Sequence, residues 1–588
     1  MEIGTGPVSP AAGPPTAELD RELATLRARA EVWARLGLAE KIRHLRAMRA
    51  RTVETAQGWV DAAAEAKGIA GTALAGEEWL SGPYPLLTAI DRLSATLAGI
   101  ARTGAAPIPE RSVRTRYDAS TGSAQVVVDV FPVDRADRIL LNGLHAEIWM
   151  EPEITRENLP ANVASFYKQT APQGAVTLVL GAGNIAAIPP LDALTALYAH
   201  GHVVLLKLNP VNAYLHAVFA TVFSSLIEEG FVRIADGGAE VGAYLAAHPS
   251  VDAVHLTGGE RTHDAIVFGT GPAAAQRKRH GAPLLTKPVT SELGNVTPVI
   301  VVPGPWNQAD LAYQAAHVAT QKLHNAGANC IAAQVLVTPA DWDRASDFLR
   351  RVRDALAEAP PRPSYYPGSH DRVRAVEHGH PGAESLGVPI DGIHRTFVGG
   401  LDAHAAAEPL FGSEAFGPVL AQTALPGADA AAFLRNAVAF CNDRLHGTLG
   451  AAILIHPRTK RELGPAFEDA IAALRYGCVA VNTWPGVGFS LATASWGAYP
   501  GNALDAVGSG IGTVHNAYLF DRPQKTVVYA PFAPFPRSFA DGELTLLPTP
   551  PWFLTHRRAE LVGRRIFAFA AKPSPLRLLA TVLAALRA

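Results

Sequence analysis

Cysteine is scarce in this sequence, with three residues (Cys330, Cys441 and Cys478) in 588. Three cannot build a disulfide framework, and their separations are not those of a zinc site. The scarcity fits a reducing, cytoplasmic location. An excess of either charge is also missing: 51 Lys and Arg against 53 Asp and Glu leave a net charge of −2. Such a balance gives no basic groove for nucleic acid and no funnel for acidic ligands. No hydrophobic run approaches the ~18–20 residues that span a bilayer. The opening MEIGTGPVSPAAGPPTAELD lacks a basic stretch followed by an apolar core, so residues 1–16 read as a flexible lead, not a signal peptide.

What is present is ample apolar material: 48% of residues are hydrophobic and 18% charged, in a chain too long for one simple core. From about residue 17 to 105, Ala, Leu, Glu and Arg dominate and apolar residues recur at three and four, the pattern of amphipathic helices. SAQVVVDVFPVD and AEIWMEPEIT follow, two β-rich stretches that predict an antiparallel pair. From Gln173 short buried β runs alternate with helical segments, which indicates an α/β fold with a parallel sheet. A second α/β stretch opens near Ser291, with strands expected at TPVIVV, AAQVLVTP and GAAILIHP. Residues 359–368 and 485–510 read as Pro- and Gly-rich loops. The chain closes on PLRLLATVLAALRA, an expected helix with Leu576, Leu579, Val582, Leu583 and Leu586 on one side. That helix reads as a packed brace or as a membrane-surface contact.

A few residues have the chemistry of a site. Cys330 stands in HNAGANCIAAQVLV; a lone cysteine is most often a small buried hydrophobe, yet the small residues before it leave room for a ligand to approach. Glu292 in SELGNVTP is an ordinary turn acid or a general base. Asn184 in LVLGAGNIAAIPP is a turn asparagine or a donor to an oxyanion; GAGN lacks the third glycine of the dinucleotide fingerprint. Lys207 ends the run GHVVLLK as a solvated strand exit or as a donor to a cofactor's ribose or phosphate. Glu414 in GSEAFGPVL is a loop acid or an acceptor for ribose hydroxyls.

Taken together and in order, Asn184 and Lys207 after their strands, HLTGG, ELG, NAGANC and EAFGPV resemble the aldehyde dehydrogenase superfamily, from roughly Leu23 to Asn516. The resemblance implies an aldehyde-dehydrogenase-like α/β architecture. Its parts are a Rossmann-type NAD(P)-binding domain over 17–122 and 156–290 and a catalytic domain over 291–484. A β oligomerisation element over 123–155 and 485–517 and a C-terminal extension over 518–588 complete it. By position it makes Cys330 the nucleophile, Glu292 the general base, and Asn184 with the Cys330 N–H the oxyanion hole. Lys207 and Glu414 match ribose-binding residues, and Gly183, Asn209, Gly258, Gly259 and Phe416 fall with them at the cofactor. Asn482 matches a structural asparagine below the site. No metal is implied. The cofactor implied is NAD or NADP, the substrate a small-molecule aldehyde oxidised to an acid through a cysteine thioester, and the assembly a homo-oligomer, dimer or tetramer.

The sequence also departs from the family. Pro210 stands where an acid favouring NAD is usual, Gly259 replaces a serine, and SWGAYPGN replaces a Phe-Gly-Gly segment. Insertions are expected near residues 269–288 and 359–395. GAGN and VVLLK also resemble acyl-CoA reductases of the same superfamily, which run a thioester to an aldehyde; Glu292 argues against that direction. A non-catalytic relative that keeps only the fold is the third possibility, and the retained Cys330, Glu292 and Asn184 speak against it.

Overall fold

The computed structural model describes residues 16–117, 122–547 and 549–586. The expected flexible lead therefore lies outside the described residues, except Thr16, which begins the first helix, Thr16–Ala34. That helix, Leu38–Ala66 and Pro83–Thr103 bear out the amphipathic pattern; their apolar stripes bury Leu23, Trp33, Leu45, Trp59 and Leu86 in the largest core.

Two sheets organise the α/β part. The smaller has six strands, in the order Gly510–Ile511, Val289–Leu293, Ala253–Gly258, Val176–Leu180, Val203–Lys207, Val232–Ala235, all parallel except the first. The chain runs outward from Val176–Leu180 to Val232–Ala235, then returns to the other side of its starting strand. The reversal opens a crevice at the strands' carboxyl ends, where ligands bind in sheets of this kind. Asn184 and Gly258 border it from the two strands that flank the reversal.

The larger sheet has eleven strands. Its parallel centre contains Cys478–Val481, Gly450–Leu454, Thr297–Val301, Ala333–Pro339 and Val419–Leu425. The expected antiparallel pair is Ala124–Phe131 with His145–Met150. It continues this same sheet through Pro523–Tyr529, which pairs antiparallel with His145–Met150 and parallel with Cys478–Val481. Here the structure differs from the sequence reading, which placed the second half of the β element at 485–517 and began the extension at 518. PQKTVVY opens with proline, tolerated at a strand's first residue, and its β-branched residues are fully inside. Residues 485–517 instead form the short helix Pro485–Ser490, one edge of the six-stranded sheet, and a separate pair, Ser495–Gly497 with Thr513–His515.

Beyond Tyr529 the chain ends in a helical hairpin, Ala559–Ala571 and Pro575–Ala585. The hairpin docks on the short helix Gly76–Ser81. A Cβ at Gly76 would meet the Ala559 carbonyl carbon at 2.3 Å, and the Trp79 and Phe567 rings lie 5.3 Å apart. Four of the five apolar residues noted on the last helix, Leu576, Leu579, Leu583 and Leu586, are exposed, whereas Val582 turns toward a cavity. Among the described residues no helix is long and apolar enough to cross a membrane.

Candidate active site

The segment before Cys330 leaves helix Gln308–Leu323 in an unusual backbone path. Asn325, Ala326 and Gly327 all have positive φ, at 52°, 56° and 75°. Asparagine and glycine tolerate that region; alanine does so at a cost. A Cβ on Gly327 would lie 2.4 Å from the Gly417 carbonyl oxygen, so only glycine lets the loop carrying Glu414 and Phe416 approach this closely. Lys322 Nζ donates to the same carbonyl at 3.0 Å. Two stretches that the sequence singled out separately are thus locked together.

The turn is also pinned from below. Glu77 of helix Gly76–Ser81 is buried; it accepts the Asn325 backbone N–H at 3.0 Å and pairs with Arg362. Trp484 Nε1 donates to the Ile331 carbonyl at 3.0 Å on the far side of the cysteine. Cys330 itself is half-buried, unlike Cys441 and Cys478, which are buried; all three are free thiols.

Glu292, on the strand next to the edge of the six-stranded sheet, places Oε1 3.9 Å from Cys330 Sγ. Oε1 also accepts a 2.6 Å hydrogen bond from Trp496 Nε1, while Oε2 is buried without a partner. Burial, with Asp192 nearby, pushes the Glu292 carboxyl up to about 8, and the hydrogen bonds from Trp496 and Cys330 pull the other way. Burial pushes the Cys330 thiol well above its ordinary value, helped by the charges of Glu292 and Glu414. Both groups therefore hold their protons near neutrality, and Glu292 can take the thiol's proton only after it has given up its own.

Asn184 follows Val176–Leu180 and meets the cysteine turn directly. Its Nδ2 donates to the Ala328 carbonyl at 3.0 Å, which leaves its second N–H for another acceptor. Asn325 Nδ2 donates to the Asn184 carbonyl at 3.0 Å, and the Tyr365 hydroxyl donates to that carbonyl at 2.9 Å. The Cys330 N–H donates to no backbone carbonyl among the described residues.

The other expected residues spread along the carboxyl edge. Gly183 and Asn209 touch: a Cβ at Gly183 would lie 2.7 Å from Asn209 Oδ1, which caps the turn that starts at Pro210. Lys207 is buried and its ammonium is held below its usual range by burial, against the pull of Glu240 and Asp236. Gly258 and Gly259 are exposed at the start of helix Glu260–Val267, with open space where a Gly259 Cβ would stand. Glu414 lies against Gly294, near Cys330; burial raises its carboxyl to about 8 while Lys322 and Arg372 oppose. Phe416 takes φ 42° and packs its ring 4.9 Å from that of Tyr366. Asn482 ties strand ends, exchanging hydrogen bonds with the Ile455 backbone at 2.8 and 3.0 Å.

Sequence reasoning missed Glu77, Asn325, Tyr365 and Trp496. Asn325 stands five residues before Cys330 in the quoted stretch, and its amide was a readable signal. Tyr365 falls in a segment read as loop, and Trp496 lies 204 residues from its partner; neither carried one.

From Cys330 an apolar cavity runs outward, enclosing about 1480 Å³ of empty space counted to its open mouth. It borders Trp484, Phe489 and Trp496 near the cysteine and none of the cofactor-side residues named above.

The sequence profile of the aldehyde dehydrogenase family matches residues 144–364. Coniferyl aldehyde dehydrogenase of Pseudomonas sp. strain HR199 is 30% identical over 197 residues, 34% of this chain and 37% of that protein. The chain thus matches little more than a third of that relative's length. The structure of aldehyde dehydrogenase C from Pseudomonas syringae, complexed with NAD+ and octanal, superposes with a TM-score of 0.56 at 18% identity, covering 90% of this chain and 95% of that one. NADP-dependent glyceraldehyde-3-phosphate dehydrogenase from Bacillus halodurans, complexed with NADP, gives 0.55 at 15% identity over 88% and 92%. Residues 144–364 are thus similar in sequence to the aldehyde dehydrogenase family, and most of the chain shares the fold of these solved aldehyde dehydrogenases.

Proposed function

We propose that the protein oxidises an aldehyde to a carboxylic acid with NAD or NADP, through a thioester on Cys330. The observation that carries this reading is the placement of Cys330 Sγ 3.9 Å from Glu292 Oε1, on a turn that Asn184 also touches. Nucleophile, base and amide donor come from three distant parts of the chain and meet at one point.

The residues fit the cofactor. Lys207 and Glu414 make no hydrogen bond or ion pair among the described residues, although both sit at the carboxyl edge where ribose hydroxyls would need a donor and an acceptor. Gly258 and Gly259 leave the backbone open there for phosphates. With Pro210 in place of an acid, the edge carries no carboxylate at that position to choose between NAD and NADP.

With Glu292 ionised, Cys330 Sγ bonds to the carbonyl carbon while its proton passes to the carboxylate, which then returns a proton to solvent. The resulting oxyanion takes the free N–H of the Asn184 amide and the Cys330 N–H, a donor of this kind being worth ~3–4 kcal/mol of barrier. The nicotinamide, when bound, supplies the acceptor for the hydride that leaves this carbon. Glu292, once it has lost its proton, deprotonates a water; the water oxygen bonds to the thioester carbon, the C–S bond breaks, and the thiol is restored. Formation of NAD(P)H from an aldehyde panel without CoA, lost in Cys330→Ala, tests the reading.

The reverse reaction has one observation in its favour: a carboxyl raised to about 8 is mostly protonated at neutral pH, so little of it stands ready to activate water and a thioester lives longer. NAD(P)H consumption with an acyl-CoA would identify it. The proposal extends to a homo-oligomer in a reducing compartment such as the cytoplasm, where Cys330 stays a thiol; light scattering of the purified protein reads the assembly.

A further inference from the structure

The cavity that reaches Cys330 is chemically one-sided. Polar atoms gather at the inner end, where Asn329 and His324 stand beside the thiol. Among the described residues no Asp, Glu, Lys or Arg lines any part of it. Leu80 and Tyr84 form one wall ahead of helix Pro83–Thr103, and Val487 and Phe489 of helix Pro485–Ser490 form another. The outer wall belongs to the chain's last sixty residues: Trp552, Val562, Ile566, Val582 and Ala585. At the rim Ile139, Leu546 and Leu586 are 45%, 48% and 43% exposed.

We infer that this cavity holds the alkyl tail of a long-chain aliphatic aldehyde, with the aldehyde carbon at Cys330 and the tail running out beneath the C-terminal hairpin. The inference rests on the reading of Cys330 as the nucleophile and names the substrate class. A ligand with a charged far end would leave water for a lining that holds no opposite charge. A short aldehyde would leave the outer part unfilled, since the lining runs from Cys330 to Leu586 at the exposed rim. The hairpin is fixed in place as a wall: Arg49 donates to the Ala570 and Ala571 carbonyls at 3.1 Å, and Arg565 joins the two helices through the Ala580 carbonyl at 2.6 Å. Each methylene buried against such walls strengthens binding by roughly fourfold.

The test uses the full chain and unreactive probes, the 1-alkanols from butanol through octanol and dodecanol to hexadecanol, with binding read from the fluorescence of Trp484, Trp496 and Trp552. Affinity should climb with each pair of methylenes and level off only when the chain reaches the rim. Leu586→Glu sets a carboxylate at the mouth and should weaken hexadecanol by roughly tenfold while moving butanol little. Val582→Gln, on the half-buried wall, is the second variant, with melting curves showing that each folds. Binding that ignores chain length, or equal losses for all four alcohols in both variants, overturns the inference. If chain-length dependence appears but no aldehyde yields NAD(P)H, the dehydrogenase reading fails and the cavity assignment stands. If butanal, benzaldehyde and dodecanal are oxidised equally well and alkanol binding is flat, the cavity assignment fails alone.

Discussion

Trp496 Nε1 donates a 2.6 Å hydrogen bond to Oε1 of Glu292, the oxygen that also faces the Cys330 thiol. The indole therefore competes with the thiol for one carboxylate oxygen and stabilises the ionised form of Glu292. It is the strongest of the contacts that hold this buried carboxyl from rising further.

Trp496→Phe removes that donor, so the Glu292 carboxyl should rise above about 8. Because Glu292 works as a base only when ionised, the acidic limb of kcat for aldehyde oxidation should move to higher pH. A profile of kcat against pH for both proteins reads the shift directly. An unmoved limb would assign it to a group other than Glu292.

Glu292→Gln makes a prediction about stability whose sign follows from the same burial. The folded carboxyl is raised from 4.5 to about 8, so its contribution is fully present below the unfolded value. It declines as pH rises between the two values and is least above about 8. The Gln variant, which never ionises, should gain in melting temperature relative to the parent as pH is raised through that window. Thermal unfolding of the pair at acidic and alkaline pH measures it. Hydrolysis of the thioester by water should slow in the same variant and lower kcat.

Asn184→Ala deletes an oxyanion donor without touching the thiol and should lower kcat by about 10²–10³. Substrate affinity should change far less. Steady-state kinetics with one aldehyde, together with unchanged alkylation of Cys330 by iodoacetamide, separates lost stabilisation from a displaced turn.

Much of this site was legible because its parts are local. Thr297–Val301 and Ala333–Pro339 are runs rich in β-branched residues, and Glu292 and Cys330 stand just before them. Asn184 and Lys207 could be placed because each ends a buried strand. Contacts across the fold were not legible. Nothing near Trp496 marks it as a partner of Glu292, and Tyr365 reaches Asn184 from a segment that has only turn chemistry of its own. Pro523–Tyr529 was hidden by the prolines around it, since its strand character depends on Cys478–Val481 and His145–Met150 on either side. The cavity wall was beyond reach for the same reason: its residues come from separated stretches scattered between Leu80 and Leu586.

Glu77 offers the last prediction, because it acts on the turn and not on the substrate. Burial drives its carboxyl upward, but Arg362 and His324 outweigh burial and hold it below its usual range, as an ionised partner. It is the acceptor for the Asn325 N–H, at the first residue of the left-handed run Asn325, Ala326 and Gly327 that precedes Cys330. Glu77→Ala leaves Arg362 buried without its counter-charge, which should cost about 3–5 kcal/mol of stability. Glu77→Gln keeps an acceptor for Asn325 while weakening the pair, so it should fold and retain part of its kcat. Denaturant unfolding measures the first variant. For the second, the rate of Cys330 alkylation by iodoacetamide reports the turn directly, and a rate equal to the parent's alongside a lowered kcat would show that Glu77 does not position the thiol.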